Sequence, residues 1–238
     1  MKRFNKSTII SLGLLSLVMN IHAATQSDNY NFWLHYFGKL HFHRKWSLSF
    51  ETSVRYTDWG KQYQQWLARP SVDYTINKHF TGSIGYSHYK TFTYGSPAMF
   101  KSPIEEAHIW EQISSKHSLN QWTLNNRLRD ENRFIGADKT YRKRLRYMML
   151  WSYPVINKKL NLLLGNEVFL NIGNYSGKSL MNQNRVIVGF SWLYNPTFQI
   201  QLSYIHQNIW NYNNSIFENN PTLRLSILNA FNPGKQKK

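Results

Sequence analysis

Arginines at alternate positions form the strongest candidate site in this sequence. Residues 121–134 and 140–152 each carry three arginines on one side of a two-residue alternation, and the first stretch also carries a glutamate. A guanidinium group is a planar fork that pairs with a carboxylate or a phosphate through two parallel hydrogen bonds. The cluster that this spacing predicts contains Arg127, Arg129, Glu131 and Arg133 together with Arg142, Arg144 and Arg146.

Charged residues of other segments extend this cluster. Each is assigned to the polar face of its own alternating segment, so its side chain would point the same way as the arginines. Two interpretations stay open: a ladder of salt bridges that fills and stiffens a small barrel, or an anion-selective constriction. The charged members are Glu51, Arg55, Arg69, Glu167 and Arg185, and the neighbours expected beside them are Asp73, Glu106, His108, Gln183, Gln201, Gln207 and Arg224.

The alternation in residues 46–58 indicates which kind of element carries these side chains. Even positions are mostly apolar, from Trp46 to Tyr56, whereas odd positions hold serines, Glu51 and Arg55. A period of two puts the two sets on opposite faces of one β-strand. Such a strand occurs in a soluble sandwich or barrel with an apolar core, and also in a transmembrane barrel with a polar lumen.

Segment lengths favour the transmembrane setting. Most alternating segments run for about 10–14 residues, whereas soluble strands usually have about five or six and tilted membrane strands about 9–11. Short connections alternate with long ones near 91–104, 173–181 and 209–221, as expected for periplasmic turns and extracellular loops. The predicted strands are 31–42, 46–58, 64–75, 80–90, 105–115, 121–134, 140–152, 160–172, 182–193, 198–208 and 222–231.

These features predict an all-β fold, an antiparallel transmembrane β-barrel of about 10–12 strands with a polar, arginine-rich lumen. Eleven segments are counted, although single-chain bacterial barrels have even numbers of strands. If the last strand descends to the periplasm, residues 31–42 descend as well, and residues 24–30 begin outside. A further short strand within 24–33, a segment threading the lumen, or a wrongly divided pair of segments would account for the odd count.

The beginning of the chain indicates export. Residues 1–23 combine a basic head, an apolar segment from Ile9 to Met19 and a cleavage site after Ala23, which predicts a cleaved signal peptide. The apolar segment is too short to cross a bilayer as a helix. The expected location is therefore the outer membrane of a Gram-negative bacterium.

The remainder of the chain suits one domain. Residues 24–238 contain no cysteine, so the fold does not rely on disulfides. They are predicted to form a single barrel whose last strand, 222–231, ends on Phe231 and is similar to the strand that the outer-membrane assembly machinery reads. Residues 232–238 would form a short basic tail.

Charge and composition limit the partners. The formal net charge is +17, which usually indicates nucleic acid, but an exported chain rarely meets nucleic acid. The expected partners are outer-membrane lipids and lipopolysaccharide, the assembly machinery during biogenesis, and a small anionic solute. No cofactor is expected. No metal site is expected either, because His41 and His43 have no carboxylate cluster beside them.

Histidines on the outer face raise an alternative function. Barrel enzymes that modify lipid A use a histidine with a serine and an acid on the lipid-facing rim. Ser87, His88 and His206 are assigned to that face, with His35 as a further candidate, but the spacing fixes no such geometry. An enzyme is therefore the less favoured interpretation. A soluble, secreted β-protein that binds acidic glycans is a third interpretation, based on the charge alone.

The chain resembles an uncharacterised bacterial family, a domain-of-unknown-function group of predicted outer-membrane β-barrels. The resemblance covers nearly all of residues 24–238. It implies the fold and the location, and it brings no catalytic residues because the family has no established activity. The stretches that carry it are Trp46-Ser-Leu-Ser-Phe-Glu, Trp110-Glu-Gln, Asn126-Arg-Leu-Arg-Asp-Glu-Asn-Arg-Phe134, Arg144-Leu-Arg-Tyr, Asn166-Glu-Val-Phe and Gln183-Asn-Arg185.

Overall fold

The fold was analysed on a computed structural model, which describes residues 25–94, 102–157, 159–173, 180–210 and 216–231. The predicted signal peptide, 1–23, and the predicted tail, 232–238, lie outside the described residues. So do the central parts of the three predicted long loops.

Nearly all of the described residues belong to twelve β-strands. A single 3₁₀ turn, Asp58–Gly60, joins two of them, and no described helix is long and apolar enough to cross a membrane. The strands are β1 (Thr25–Asp28), β2 (Asn31–His41), β3 (Trp46–Thr57), β4 (Gln62–Thr75), β5 (Phe80–Thr91), β6 (Ile104–Leu119), β7 (Trp122–Ile135), β8 (Thr140–Ile156), β9 (Leu160–Ile172), β10 (Met181–Asn195), β11 (Phe198–Trp210) and β12 (Ile216–Phe231).

The strands β2 to β12 close into an eleven-stranded barrel. Each strand pairs antiparallel with the next along the chain, and β12 then pairs with β2 to complete the ring. This confirms the predicted β-barrel and its 10–12 strands. The predicted segments match the strands closely, except that β12 begins at residue 216, inside the expected loop 209–221.

The barrel closes with one parallel pair, which we call the seam. Strand β2 runs parallel to β12 from Asn31 opposite Thr222 to Leu40 opposite Phe231, and the short β1 continues the same register from Thr25 opposite Ile216. The prediction of a wholly antiparallel barrel is therefore wrong at this position. The physical reason is the odd number of strands, because an odd count makes the first and last strands of the ring point the same way.

The short and long connections lie at opposite ends of the barrel. The five connections at the turn end, such as 120–121 and 196–197, have two to four residues. The connections at the loop end include the longest two, 92–103 and 173–180. This asymmetry agrees with the predicted distribution of turns and loops.

The two faces of the barrel wall differ in chemistry. Inward positions carry most of the buried charged and polar side chains, whereas outward positions carry exposed aliphatic residues such as Leu48, Ile84 and Leu202. Aromatic rings gather outside near both ends. Trp46 contacts Tyr74 at the turn end, and further pairs lie at the loop end, among them Tyr56–Tyr63, Phe134–Tyr141 and Trp210–Phe217.

We expect the parallel seam to be detectable by cross-linking. Asn31 donates a hydrogen bond to Thr222 across it at 3.3 Å, and both side chains are buried. Neighbouring strands lie about 4.8 Å apart, within the range of about 4.4–6.8 Å between Cα atoms that a disulfide bridges. The N31C/T222C double variant should therefore form an internal disulfide when the folded protein is oxidised, seen as a mobility shift on a non-reducing gel and by peptide mass spectrometry.

The matched control is N31C/S226C, since the chain has no other cysteine. Ser226 lies four residues further along β12, roughly 13 Å away at about 3.3 Å per residue. Efficient cross-linking of this control, or none in N31C/T222C, would show that the barrel closes in another register.

Candidate functional site

The structure places all of the sequence-predicted charged residues on the inner face of the barrel. The strand register shows this, because residues directly opposite each other on neighbouring strands point to the same face. Glu51 on β3, for example, lies opposite Arg69 on β4. We call this set the lumen cluster. Its members are Glu51, Arg55, Arg69, Arg127, Arg129, Glu131, Arg142, Arg144, Arg146, Glu167 and Arg185.

Glu131 is the centre of one half of the cluster. Its side chain is completely buried, and its Oε2 accepts hydrogen bonds from Nε and Nη2 of Arg144 at 2.8 and 2.6 Å. Its Oε1 accepts a third from Arg146 at 2.7 Å, and Arg129 lies 3.8 Å from the same oxygen. One carboxylate thus holds two strands of arginines together, including Arg129 and Arg146, which stand directly opposite each other.

Glu167 on β9 performs the same role for a second group of arginines. Its Oε1 accepts hydrogen bonds from Arg127 at 2.6 Å and from Arg146 at 2.7 Å, and Arg185 donates to its Oε2 at 3.3 Å. Arg127 lies two strands away and reaches across Met148. Because Arg146 touches both glutamates, the groups around Glu131 and Glu167 form one connected network.

Two further carboxylates neutralise arginines nearer the sides of the lumen. Arg69 donates to Glu51 and also to the hydroxyls of Ser87 and Tyr89. Glu106 accepts a hydrogen bond from Arg133 at 2.8 Å, and its Oε2 lies 3.0 Å from Nε2 of His108. These pairs extend the network from β9 round to β3.

Aromatic rings support several of the same arginines in addition to the carboxylates. The Arg129 guanidinium lies 4.0 Å from the centre of the Trp110 ring, and those of Arg146 and Arg185 lie 4.4 and 4.6 Å from the centre of Phe169. Both rings are almost fully buried. Such cation–π contacts stabilise a charge more when water is excluded.

A glycine makes room for one of these rings. Gly85 lies opposite Trp110, and a Cβ atom at this position would come within 2.2 Å of the indole. The indole Nε1–H also donates to Ser87 at 2.8 Å. The absence of a side chain at residue 85 therefore lets Trp110 lie flat enough against the wall to contact Arg129.

Sequence reasoning missed Trp110 and Phe169 as members of the site. Both occupy the inward phase of their strands, two residues from His108 and Glu167 respectively. Their phase was the available signal, because a two-residue alternation places them on the same face as these charged residues.

The arginines at the seam have fewer partners. Arg55 donates to Gln65 at 2.8 Å and lies over the ring of Trp33, but no described carboxylate is within 4 Å of it. Arg224 on β12 has neither an ion pair nor a hydrogen bond among the described residues. Away from the seam, Arg142 on β8 stands opposite Arg133 near the loop end and is not one of these arginines.

Two cavities occupy the space that the network leaves. One, of about 470 Å³, opens towards the turn end, and the other, of about 350 Å³, lies in the middle of the lumen. They meet at a belt of residues that lines both. The belt consists of Phe37, Glu51, Arg69, Arg127 and Leu228.

The central cavity has a large excess of positive charge. Eight arginines and only three glutamates line it, which leaves a formal excess of five. The arginines are Arg55, Arg69, Arg127, Arg133, Arg144, Arg146, Arg185 and Arg224, and the glutamates are Glu51, Glu106 and Glu167.

With this geometry described, comparison with known proteins assigns a family. The sequence model of a family described as protein of unknown function, DUF2490, matches residues 30–218. The chain belongs to the DUF2490 family. Among curated proteins, none matches it. The family assignment agrees with the resemblance found in the sequence, and it supplies no activity for this DUF2490 barrel.

The histidines of the DUF2490 barrel do not form the arrangement expected of a lipid-A enzyme. His88 and His206 face outward as predicted, but Ser87 and His35 face the lumen, so their predicted outward orientation is wrong. Successive side chains of a β-strand point to opposite faces, so Ser87 and His88 cannot both face outward. Among the described residues, no serine hydroxyl is hydrogen-bonded to His88 or His206, whose nearest hydroxyls are those of Tyr86 and Tyr204 at 3.5 Å.

Metal ligation was also tested against the geometry. In the described ranges, no three His, Cys, Asp or Glu side chains come together in a way that could hold a metal ion.

We predict that Glu131→Gln destabilises the DUF2490 barrel strongly. The variant keeps the shape of the side chain but leaves the buried Arg144 without its carboxylate partner and Arg146 with Glu167 alone. Loss of one partner of a buried ion pair costs on the order of 3–5 kcal/mol in the free energy of unfolding. Urea unfolding of the protein in detergent micelles, followed by tryptophan fluorescence, measures this change.

Glu105→Gln is the control, because Glu105 is an exposed residue that pairs with Lys90 at 3.0 Å on the outer face. Its unfolding midpoint should stay at the value of the unmodified protein. Equal midpoints for the two variants would mean that the network around Glu131 does not hold the strands.

Proposed function

We propose that this DUF2490 barrel lies in the outer membrane of a Gram-negative bacterium and that its lumen is a narrow passage preferring small anions. The observation that carries the proposal is the excess of arginine over glutamate around the central cavity, inside a wall whose outer face is apolar. Location and selectivity rest on different features and have separate tests.

The distribution of side chains supports a membrane location. A soluble barrel buries apolar residues inside, whereas this barrel buries arginine and glutamate inside and exposes residues such as Ile109 and Phe190. The aromatic rings near both ends match the girdles of transmembrane barrels. The export pattern in residues 1–23 agrees with this location, although a secreted soluble protein would carry the same pattern.

Polar residues on the outer face are concentrated on β6–β10, and most satisfy one another. Asp130 and Lys143 form an ion pair at 2.9 Å, and the amides of Asn166 and Asn184 are hydrogen-bonded to each other. Pairing of this kind lowers the cost of placing polar groups against lipid. Glu111 also faces outward, beside Asp130.

The excess charge supports anion preference. A cavity with low-dielectric walls focuses the field of its charges, so the excess of arginine over glutamate among its lining residues attracts anions and repels cations. The same groups offer hydrogen-bond donors to an anion that loses part of its hydration shell. A wet lumen therefore suits a small anionic solute better than a cation.

A closed structural barrel is the second candidate, favoured by the belt. Glu51, Arg69 and Arg127 narrow the lumen where the two cavities meet, and Phe37 and Leu228 add apolar bulk there. Side chains alone can fill a barrel of this size. In this case the charge network would make the barrel rigid, and no solute would pass through the lumen.

Three partners follow from the proposed location. Outer-membrane lipids would contact the apolar outer face of the wall. The phosphates of lipopolysaccharide would be attracted to a chain of net charge +17. The assembly machinery would read β12, whose outward Leu223, Leu225 and Ile227 lead to Phe231.

The location is tested by fractionation of cells that make the full chain. We expect the protein in the outer-membrane fraction, extracted by detergent and not by a high-salt or alkaline wash, with a gel mobility that changes on boiling. Closed barrels resist unfolding by the gel detergent at room temperature, which causes this change. Release by the alkaline wash would contradict the membrane proposal.

Selectivity is tested by recording from the refolded protein in planar lipid bilayers. Under a KCl gradient, the reversal potential should show a chloride-to-potassium permeability ratio above one. Charge reversal of an unpaired lumen residue, Arg224→Glu, should lower this ratio about twofold or more, since it replaces an attraction for anions by a repulsion.

The control for this recording is Lys61→Glu, an equal charge change at an exposed residue outside the lumen. It should leave the ratio near that of the unmodified protein. Cation selectivity would contradict the passage proposal, and the complete absence of conductance steps would favour the closed structural barrel.

A further inference from the structure

The seam side of the central cavity contains buried nitrogen atoms that lack hydrogen-bond partners. Trp33 and His35 on β2 are only 2% and 7% exposed, yet Nε1 of Trp33 and both ring nitrogens of His35 have no hydrogen-bond partner. The buried Nε atoms of Arg55 and Arg224 also have none. All four side chains line the same cavity of about 350 Å³.

Strand register brings these four residues together. Trp33 lies directly opposite Arg55 on β3 and directly opposite Arg224 on β12, so the indole stands between the two arginines. The Arg55 guanidinium is 4.3 Å from the centre of the indole ring, and His35 stacks beside Trp33 with 5.9 Å between ring centres. The donors therefore face one region of the cavity.

The surrounding side chains do not supply the missing acceptors. Gln65 accepts one hydrogen bond from Arg55. Glu51 is bound by Arg69 through its Oε2, and its Oε1 lies 3.8 Å from Nδ1 of His35, beyond hydrogen-bond distance. Glu167 serves three other arginines. A buried donor without an acceptor costs about 1–3 kcal/mol, so an acceptor from outside the chain that reached several of these donors at once would be bound favourably.

We infer that Trp33, His35, Arg55 and Arg224 form a binding site for an oxyanion, which we call the seam site. A carboxylate or phosphate group supplies acceptors only, carries the charge that two unpaired guanidinium groups need, and matches their planar fork. The cavity has roughly ten times the volume of one liquid water molecule, about 30 Å³, so it has room for an organic acid as well as an inorganic ion.

This inference deepens the proposed anion passage and rests on it for the route by which the anion reaches the site. It adds a specific position in the lumen at which an anion binds. A uniformly positive lumen would attract anions without saturable binding, whereas the seam site would bind one oxyanion with a definite stoichiometry.

The test is isothermal titration calorimetry of the refolded full chain in non-ionic detergent, at constant ionic strength in sodium chloride. Sodium phosphate, sodium sulfate and sodium glucuronate are titrated separately. We expect saturable binding of one equivalent of at least one of them. Binding of phosphate or sulfate alone would identify an inorganic ligand, and binding of glucuronate alone would identify an organic carboxylate.

Variants separate the seam site from the general charge of the lumen. Arg224→Gln and Arg55→Gln should each weaken binding about tenfold, because each removes a charge-assisted donor. Lys39→Gln is the matched control, since Lys39 is a lumen cation that lines the turn-end cavity and pairs with Asp73. It should leave the affinity unchanged.

Trp33→Phe gives a milder test if an arginine variant fails to fold. It keeps an aromatic ring against Arg55 but removes the unpartnered Nε1–H, and we expect affinity to fall several-fold. Heat-modifiable gel mobility confirms that each variant is folded before titration.

The absence of saturable binding by the unmodified protein would overturn the seam site, as would equal weakening by Lys39→Gln. These results are independent of the bilayer recording, because binding in detergent requires neither a membrane nor conduction. A barrel that conducts anions without binding them contradicts only the seam site, and one that binds without conducting contradicts only the passage.

Discussion

Charge compensation inside a closed wall is the constraint on which this barrel depends. Two carboxylates, Glu131 and Glu167, meet most of the arginines of β7, β8 and β10, and Arg146 joins them into one network. Taking either carboxylate away would leave several buried arginines without a counter-charge. The network therefore fixes which strands must be neighbours as firmly as the backbone hydrogen bonds do.

Much of the fold could be predicted from the two-residue period. In most strands the alternation correctly predicted which polar side chains face the lumen. This assignment is robust, because shifting a strand by one residue would turn its whole apolar face towards the lumen. The beginning of β12 was missed because residues 216–221 include Glu218, two asparagines and Pro221, which are typical of a loop. The parallel seam could not be read from any single strand. It follows from the odd count of the whole ring.

The site was predictable in its members and unpredictable in its pairing. Which glutamate meets which arginine depends on strand stagger, so Arg127 finds Glu167 two strands away. The orientation of His35 was missed because β2 is aromatic on both faces, with Trp33 and Phe37 inside and Tyr36 outside, which removes the amphipathic signal. The seam donors were likewise hidden, since their lack of partners is visible only in three dimensions.

The parallel seam also determines at which rim the first and the last strand of the ring begin and end. Strand β2 and strand β12 ascend or descend together, so Asn31 lies at one rim and Phe231 at the other, separated by roughly 30 Å of wall at about 3.3 Å per residue. In a barrel with an even number of strands, both termini share a rim and a short peptide can join them. Here such a peptide would have to cross the full height of the wall. The two ends of the described barrel therefore cannot be joined by a short peptide for circular permutation, and probes placed at Asn31 and Phe231 would report on opposite rims.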